Sequence, residues 1–156
     1  IKLSLLHVVL LRAMGWGGGH MHEFTFAQGS YASVEPGLDL PFDVQDESRV
    51  SLRNALKASA TFTWLYDYGD NWQHKVKVER AEVMGFALKH PLCITGQGAC
   101  PPDDVGGEPG FENFLQAMAD PAHPEHDELT GWYGGSFDPA AFSADDVQAQ
   151  LDEIKL

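Results

Sequence analysis

Apolar and polar positions alternate most regularly between Thr61 and Glu79. An apolar-rich run from Thr61 to Tyr66 meets a turn, Asp67 to Asn71, that contains Gly69; beyond it Trp72, His74, Val76 and Val78 alternate with Gln73, Lys75, Lys77 and Glu79. This pattern predicts a β-hairpin with one face in water. The run His20 to Phe26 alternates too, placing His20, His22, Phe24 and Phe26 on one face of a second strand. Further strands are expected near Tyr31 and from Arg80 to Phe86.

Helical spacing appears first in Leu5, Val8, Val9, Leu11 and Met14, with Ser4 as the expected N-cap and Gly15 at the left-handed C-cap position. Shorter helices are predicted over Ser51 to Lys57 and Glu125 to Trp132, and a longer one over Pro109 to Ala119 that buries Phe111, Phe114, Leu115 and Met118. Asp138-Pro139 reads as a helix start. Ser143 and Asp146 form a capping-box pair for a last helix burying Val147, Leu151 and Ile154. The region from Ala27 to Glu47 reads mostly as a surface excursion. The stretch from Lys89 to Gly110, rich in Pro and Gly, is a long loop of the kind that often serves function. Together these elements predict a single α+β domain, with an antiparallel sheet of four or five strands and helices packed mainly on one face. The small C-terminal helices are expected to close over the loop from Cys100 to Gly107.

A chain of 156 residues with 44% hydrophobic residues supports one sizeable core. Its net charge of −13 is placed unevenly, for residues 1–100 carry ten acidic and nine basic side chains, whereas residues 101–156 carry thirteen acidic ones and Lys155. An acidic field of this kind repels phosphate backbones, so direct nucleic-acid binding is disfavoured and a basic protein or peptide partner is favoured. With two cysteines there is no disulfide framework, and a cytoplasmic setting is expected. Leu3 to Leu11 is interrupted by His7 and followed by Arg12, unlike a signal segment, and no run reaches membrane-spanning length, so no membrane association is expected.

Three blocks carry a family resemblance: Tyr66-Asp67-Tyr68-Gly69-Asp70-Asn71-Trp72-Gln73-His74, Cys100-Pro101-Pro102-Asp103-Asp104-Val105-Gly106-Gly107, and Asp120-Pro121-Ala122-His123-Pro124-Glu125-His126. They resemble the plasmid pRiA open-reading-frame-three-like family, and the resemblance extends from Leu5 almost to the C-terminus. Some members are labelled as TnpR-type passenger proteins of an insertion element. The family has no established biochemical function, so the resemblance implies a plasmid or mobile-element association and no particular activity. It also implies that residues 1–156 are one such domain lacking an N-terminal strand or two.

Several groupings are able to carry chemistry. His20 and His22 have the i, i+2 spacing of a metal pair, and His74 on the hairpin is the candidate third ligand; the alternative is that these histidines extend the aromatic face built by Phe24 and Phe26. Cys93 and Cys100 have six intervening residues and no second cysteine pair, which excludes a zinc ribbon; they are expected to be small buried residues that fix the loop, the alternative being a site that mixes these thiols with a histidine. Pro101 to Gly107 combines rigid prolines, the carboxylates of Asp103 and Asp104, and permissive glycines; it suits capping a helix start or, as the alternative, holding carboxylates at a hard cation, and it lacks the ending of a phosphate loop and the ligand spacing of an EF-hand. Asp67 and Asp70 fit a tight turn; the alternative is a carboxylate pair serving with His74 as general base. His123 and His126 with Glu125 are able to bind a metal or to cap local structure.

The expected binding surface comprises Tyr66, Asp67, Asp70, Trp72, His74, Asp103, Asp104 and Trp132, in a groove between the hairpin and the Pro-Gly loop. Absence of a nucleophile motif or a complete metal set favours a non-catalytic protein- or peptide-binding module without a cofactor. The alternative is a metal-dependent hydrolase or nuclease-like enzyme that uses a divalent cation held by His20, His22, His74 and a carboxylate from Asp70 or Asp103.

Overall fold

In the computed structural model, which describes residues 1–34, 43–56, 60–80 and 85–156, the alternating segments pair into one sheet. Its strands are β1 (His22–Phe26), β2 (Gly29–Ala32), β3 (Val44–Asp46), β4 (Thr61–Tyr66) and β5 (Trp72–Lys77), in spatial order β3-β2-β1-β4-β5. Four strands are antiparallel neighbours as expected, and β3 adds a short parallel edge beside β2. The helices among the described residues are α1 (Leu3–Met14), α2 (Leu52–Leu56), α3 (Gly107–Ala119), α4 (His126–Tyr133) and α5 (Ala144–Leu151), with a 3-10 turn at Glu47–Arg49. The predicted ends at Lys57 and over most of Arg80 to Phe86 lie outside the described residues.

Alternation dictates the core. On one face Phe24 pairs with Trp64, His22 with Tyr66, Tyr66 with Trp72, Trp64 with His74 and Phe62 with Val76. Phe24, Phe62, Trp64 and Tyr66 are buried there, beneath Leu3 and Leu11 of α1. Large aromatic side chains on a pleated surface bury much area and pack edge-to-face or offset.

Trp16 is the hub of this layer. Its ring lies 4.8 Å from Tyr66, 5.4 Å from His74 and 6.0 Å from Trp72. The indole N–H donates to the carbonyl of Pro101 at 2.9 Å, so the exit of α1 fixes the start of the Pro-Gly loop.

Two helix boundaries differ from expectation. Ser4 lies inside α1, whose start is held instead by the sheet-side chain, Leu3 N–H donating to Val50 O at 3.0 Å. Gly15 does close α1 in the left-handed conformation, and Ser143 caps α5 through the Asp146 amide at 3.2 Å. Asp138-Pro139 opens a turn, not a helix, because the Asp138 carboxylate and carbonyl take the amides of Ala140 and Ala141. Helix α4 packs on α3, and α5 packs on α1. Among the described residues no helix is long and apolar enough to cross a membrane.

Candidate functional site

The hairpin turn is built around Asp67. Asp67 and Asn71 both adopt left-handed backbone (φ 58° each), a conformation that short polar side chains tolerate. Asp67 Oδ1 accepts the Gly69 N–H at 2.8 Å, and the Asp67 carbonyl accepts the Asn71 N–H at 2.6 Å. The turn role expected for this residue is therefore present, and its other oxygen is left to face elsewhere.

The Pro-Gly loop meets this turn directly. Gly106 N–H donates to Asp70 Oδ2 at 3.2 Å, and a Cβ on Gly107 would stand 2.4 Å from the Asp70 carbonyl oxygen. No groove separates the two segments at this point; they are in contact. Tyr66, fully buried, donates its hydroxyl to Asp103 Oδ1 at 3.4 Å. Burial first, and the Asp103 charge second, push the Tyr66 pKa up to about 12, which keeps the phenol a donor.

His20 stands where turn and loop converge. Its Nδ1 is 3.5 Å from Asp67 Oδ2 and its Nε2 is 3.4 Å from Asp104 Oδ1, while Tyr66 packs edge-on against the ring at 5.7 Å. One donor atom from each of His20, Asp67 and Asp104 can be chosen so that all lie within 4.8 Å of one another.

The other two histidines go elsewhere, so the three-histidine site is not assembled. His22 Nε2–H donates to Glu47 Oε2 at 2.7 Å in a buried contact, and its ring stacks on His7 with centroids 3.3 Å apart. Trp64 in turn donates its indole N–H to His7 Nδ1 at 3.3 Å. Burial, with the neighbouring His22, lowers the His7 pKa to about 3, so this imidazole is neutral at ordinary pH. His74 Nδ1 lies 3.3 Å from the Trp64 carbonyl, and burial lowers its pKa, opposed in part by hydrogen bonds to the backbone.

Trp72 belongs to the Trp16 cluster and touches Phe111 of α3. Trp132 is half exposed and stands against Phe114, apart from the hairpin turn. His126 gives Nδ1 to the Ala117 carbonyl at 2.7 Å, and His123 Nδ1 accepts the Glu125 N–H, so both secure the turn between α3 and α4.

A cleft of about 530 Å³ opens on another part of the molecule, where Val9, Ala13 and Met14 of α1 face Val147 and Leu151 of α5 across the 91–100 segment. Cys93 and Cys100 both line it as free thiols. Burial, then the Asp103 charge, raises the Cys100 pKa to about 12, which removes it as a thiolate nucleophile.

Sequence reasoning passed over His7 and Glu47. The signal for His7 is its spacing four residues from both Leu3 and Leu11, the two buried positions of α1. Glu47 gives no such signal, since its partner lies 25 residues away.

Comparison with known proteins places these features in context. A family model described as plasmid pRiA4b ORF-3-like protein matches residues 1–146. The uncharacterized protein y4hQ of Sinorhizobium fredii (strain NBRC 101917 / NGR234) is 38% identical over 158 residues, covering 99% of this chain and 79% of that protein. The crystal structure of a protein of unknown function, MM3350 from Methanosarcina mazei Go1, superposes with a TM-score of 0.79 at 27% identity, over 93% of this chain and 82% of that one.

Proposed function

The chain belongs to the plasmid pRiA4b ORF-3-like protein family, and for this member we propose a non-catalytic module that binds a short peptide carrying an apolar anchor flanked by Lys or Arg. The observation that carries this reading is the apolar cleft between α1, α5 and the 91–100 segment, about 530 Å³ in volume. That size lies within the range of pockets that take a side chain or a small ligand. Leu92 and Ile94 beside it are 56% and 83% exposed, an arrangement that costs free energy in water unless a partner covers it. Asp146 lines the cleft at the start of α5, next to Asp145, in the part of the chain that carries thirteen acidic side chains against Lys155. Basic flanks on the bound peptide complement that charge.

Selection from a displayed random peptide library tests the reading. The expected outcome is enrichment of sequences with a large apolar residue next to Lys or Arg, with affinity falling roughly tenfold or more in Ile94→Asp and Val147→Asp. No enrichment, or enriched peptides indifferent to both substitutions in folded protein, overturns it.

A further inference from the structure

We propose that His20, Asp67 and Asp104 form a binding site for a first-row divalent cation such as zinc, iron(II) or manganese(II). The three residues come from separate segments: the approach to β1, the β4–β5 turn and the Pro-Gly loop. None of them lines the apolar cleft, so the site is independent of peptide binding.

The state of Asp67 is the main argument. This carboxylate is 8% exposed; Oδ1 is committed to the Gly69 amide, and Oδ2 points at His20 across 3.5 Å, too far for a good hydrogen bond. A carboxylate so far out of water needs a compensating positive charge. A cation between Asp67 and His20 supplies it. The 3.5 Å separation of His20 Nδ1 from Asp67 Oδ2 suits two ligands bound at about 2.0–2.2 Å with a near-tetrahedral angle between them.

His20 turns Nδ1 to Asp67 and Nε2 to Asp104, so one nitrogen takes the metal and one carboxylate has to swing toward it. Asp104, with a side chain 73% exposed, is free to move, whereas Asp67 is held. The cation therefore sits at Nδ1 and Asp67, Asp104 closes over it, and water completes the shell. The Gly69 amide on Asp67 and the Tyr66 ring against His20 orient the two fixed ligands, as outer contacts do in metal sites. A set of one imidazole and two carboxylates favours borderline ions over magnesium or calcium, which prefer all-oxygen shells.

The test is a titration of chelator-treated protein with zinc against a chromophoric competitor, with cobalt(II) absorption as a second readout of the coordination sphere. One equivalent is expected to bind, and a rise in melting temperature accompanies it. His20→Ala and Asp104→Asn are expected to weaken binding at least tenfold; both side chains are partly exposed, and asparagine keeps the left-handed backbone at 104 tolerable, so the metal-free proteins melt as the parent does. His123→Ala is expected to bind as the parent does. Absence of stoichiometric binding overturns the proposal. So does binding that survives both His20→Ala and Asp104→Asn.

Discussion

His7 makes acid a specific threat to this fold. In the unfolded chain its imidazole takes up a proton near pH 6.5, whereas in the fold, where it projects from α1 and stacks on His22, it does so only near 3. The unfolded state therefore binds the extra proton first as pH falls, so His7 favours folding fully above 6.5 and progressively less down to about 3. The slope from this one group is at most about 1.4 kcal/mol per pH unit. Urea unfolding followed between pH 6.5 and about 4.5 is expected to show that slope in the parent and a shallower one in His7→Phe; parallel curves would refute the assignment. Gly107 is a second residue whose identity is set by geometry. It has φ +67°, and a Cβ would stand 2.4 Å from the Asp70 carbonyl. Gly107→Ala is expected to cost roughly 2–4 kcal/mol, from left-handed strain plus displacement of the hairpin turn, read as a lower urea midpoint.

Elements differ in how far the sequence announces them. The β4–β5 hairpin is legible because its period of two runs through Trp64, Tyr66, Trp72, His74 and Val76, one after another on one face. Strand β3 is not, since three residues with a single half-buried apolar side chain carry no periodicity, and their parallel partner lies across a long connection. The start of α1 misled for a related reason: Ser4 has the right chemistry for a cap, but a tertiary hydrogen bond from Leu3 to Val50 sets the boundary. In the candidate site, His20, Asp67 and Asp104 each stood out by residue type. Their grouping rests on contacts across 47 and 84 residues, which local pattern does not encode, and His22 and His74 shared a strand face with His20 without sharing its destination. Helix α5 illustrates the opposite case, where an amphipathic stripe correctly announces a buried face. Leu151 is 2% exposed against α1, so Leu151→Ala is expected to cost about 2–4 kcal/mol, measurable by chemical denaturation, while an exposed change such as Gln150→Ala costs under about 0.5 kcal/mol.

Across the whole molecule the charge and the aromatic core set the behaviour. With a net charge of −13 the acidic side chains repel one another, so added salt is expected to raise the melting temperature between low ionic strength and about 0.5 M sodium chloride; a flat or falling trend would mean that local pairs outweigh the general field. The edge strand β5 shows Lys75 and Lys77 along its outer face, a common guard against edge-to-edge pairing. The four tryptophans divide sharply in their access to water: Trp16, Trp64 and Trp72 sit at 3%, 1% and 9% exposure within one another's reach, while Trp132 is 50% exposed on the far side of Phe114. The protein thus carries two optical compartments, an interior set that shares excitation and emits toward the blue, and one outer indole that a dissolved collisional quencher reaches alone, so light emission can report on α4 and on the sheet separately.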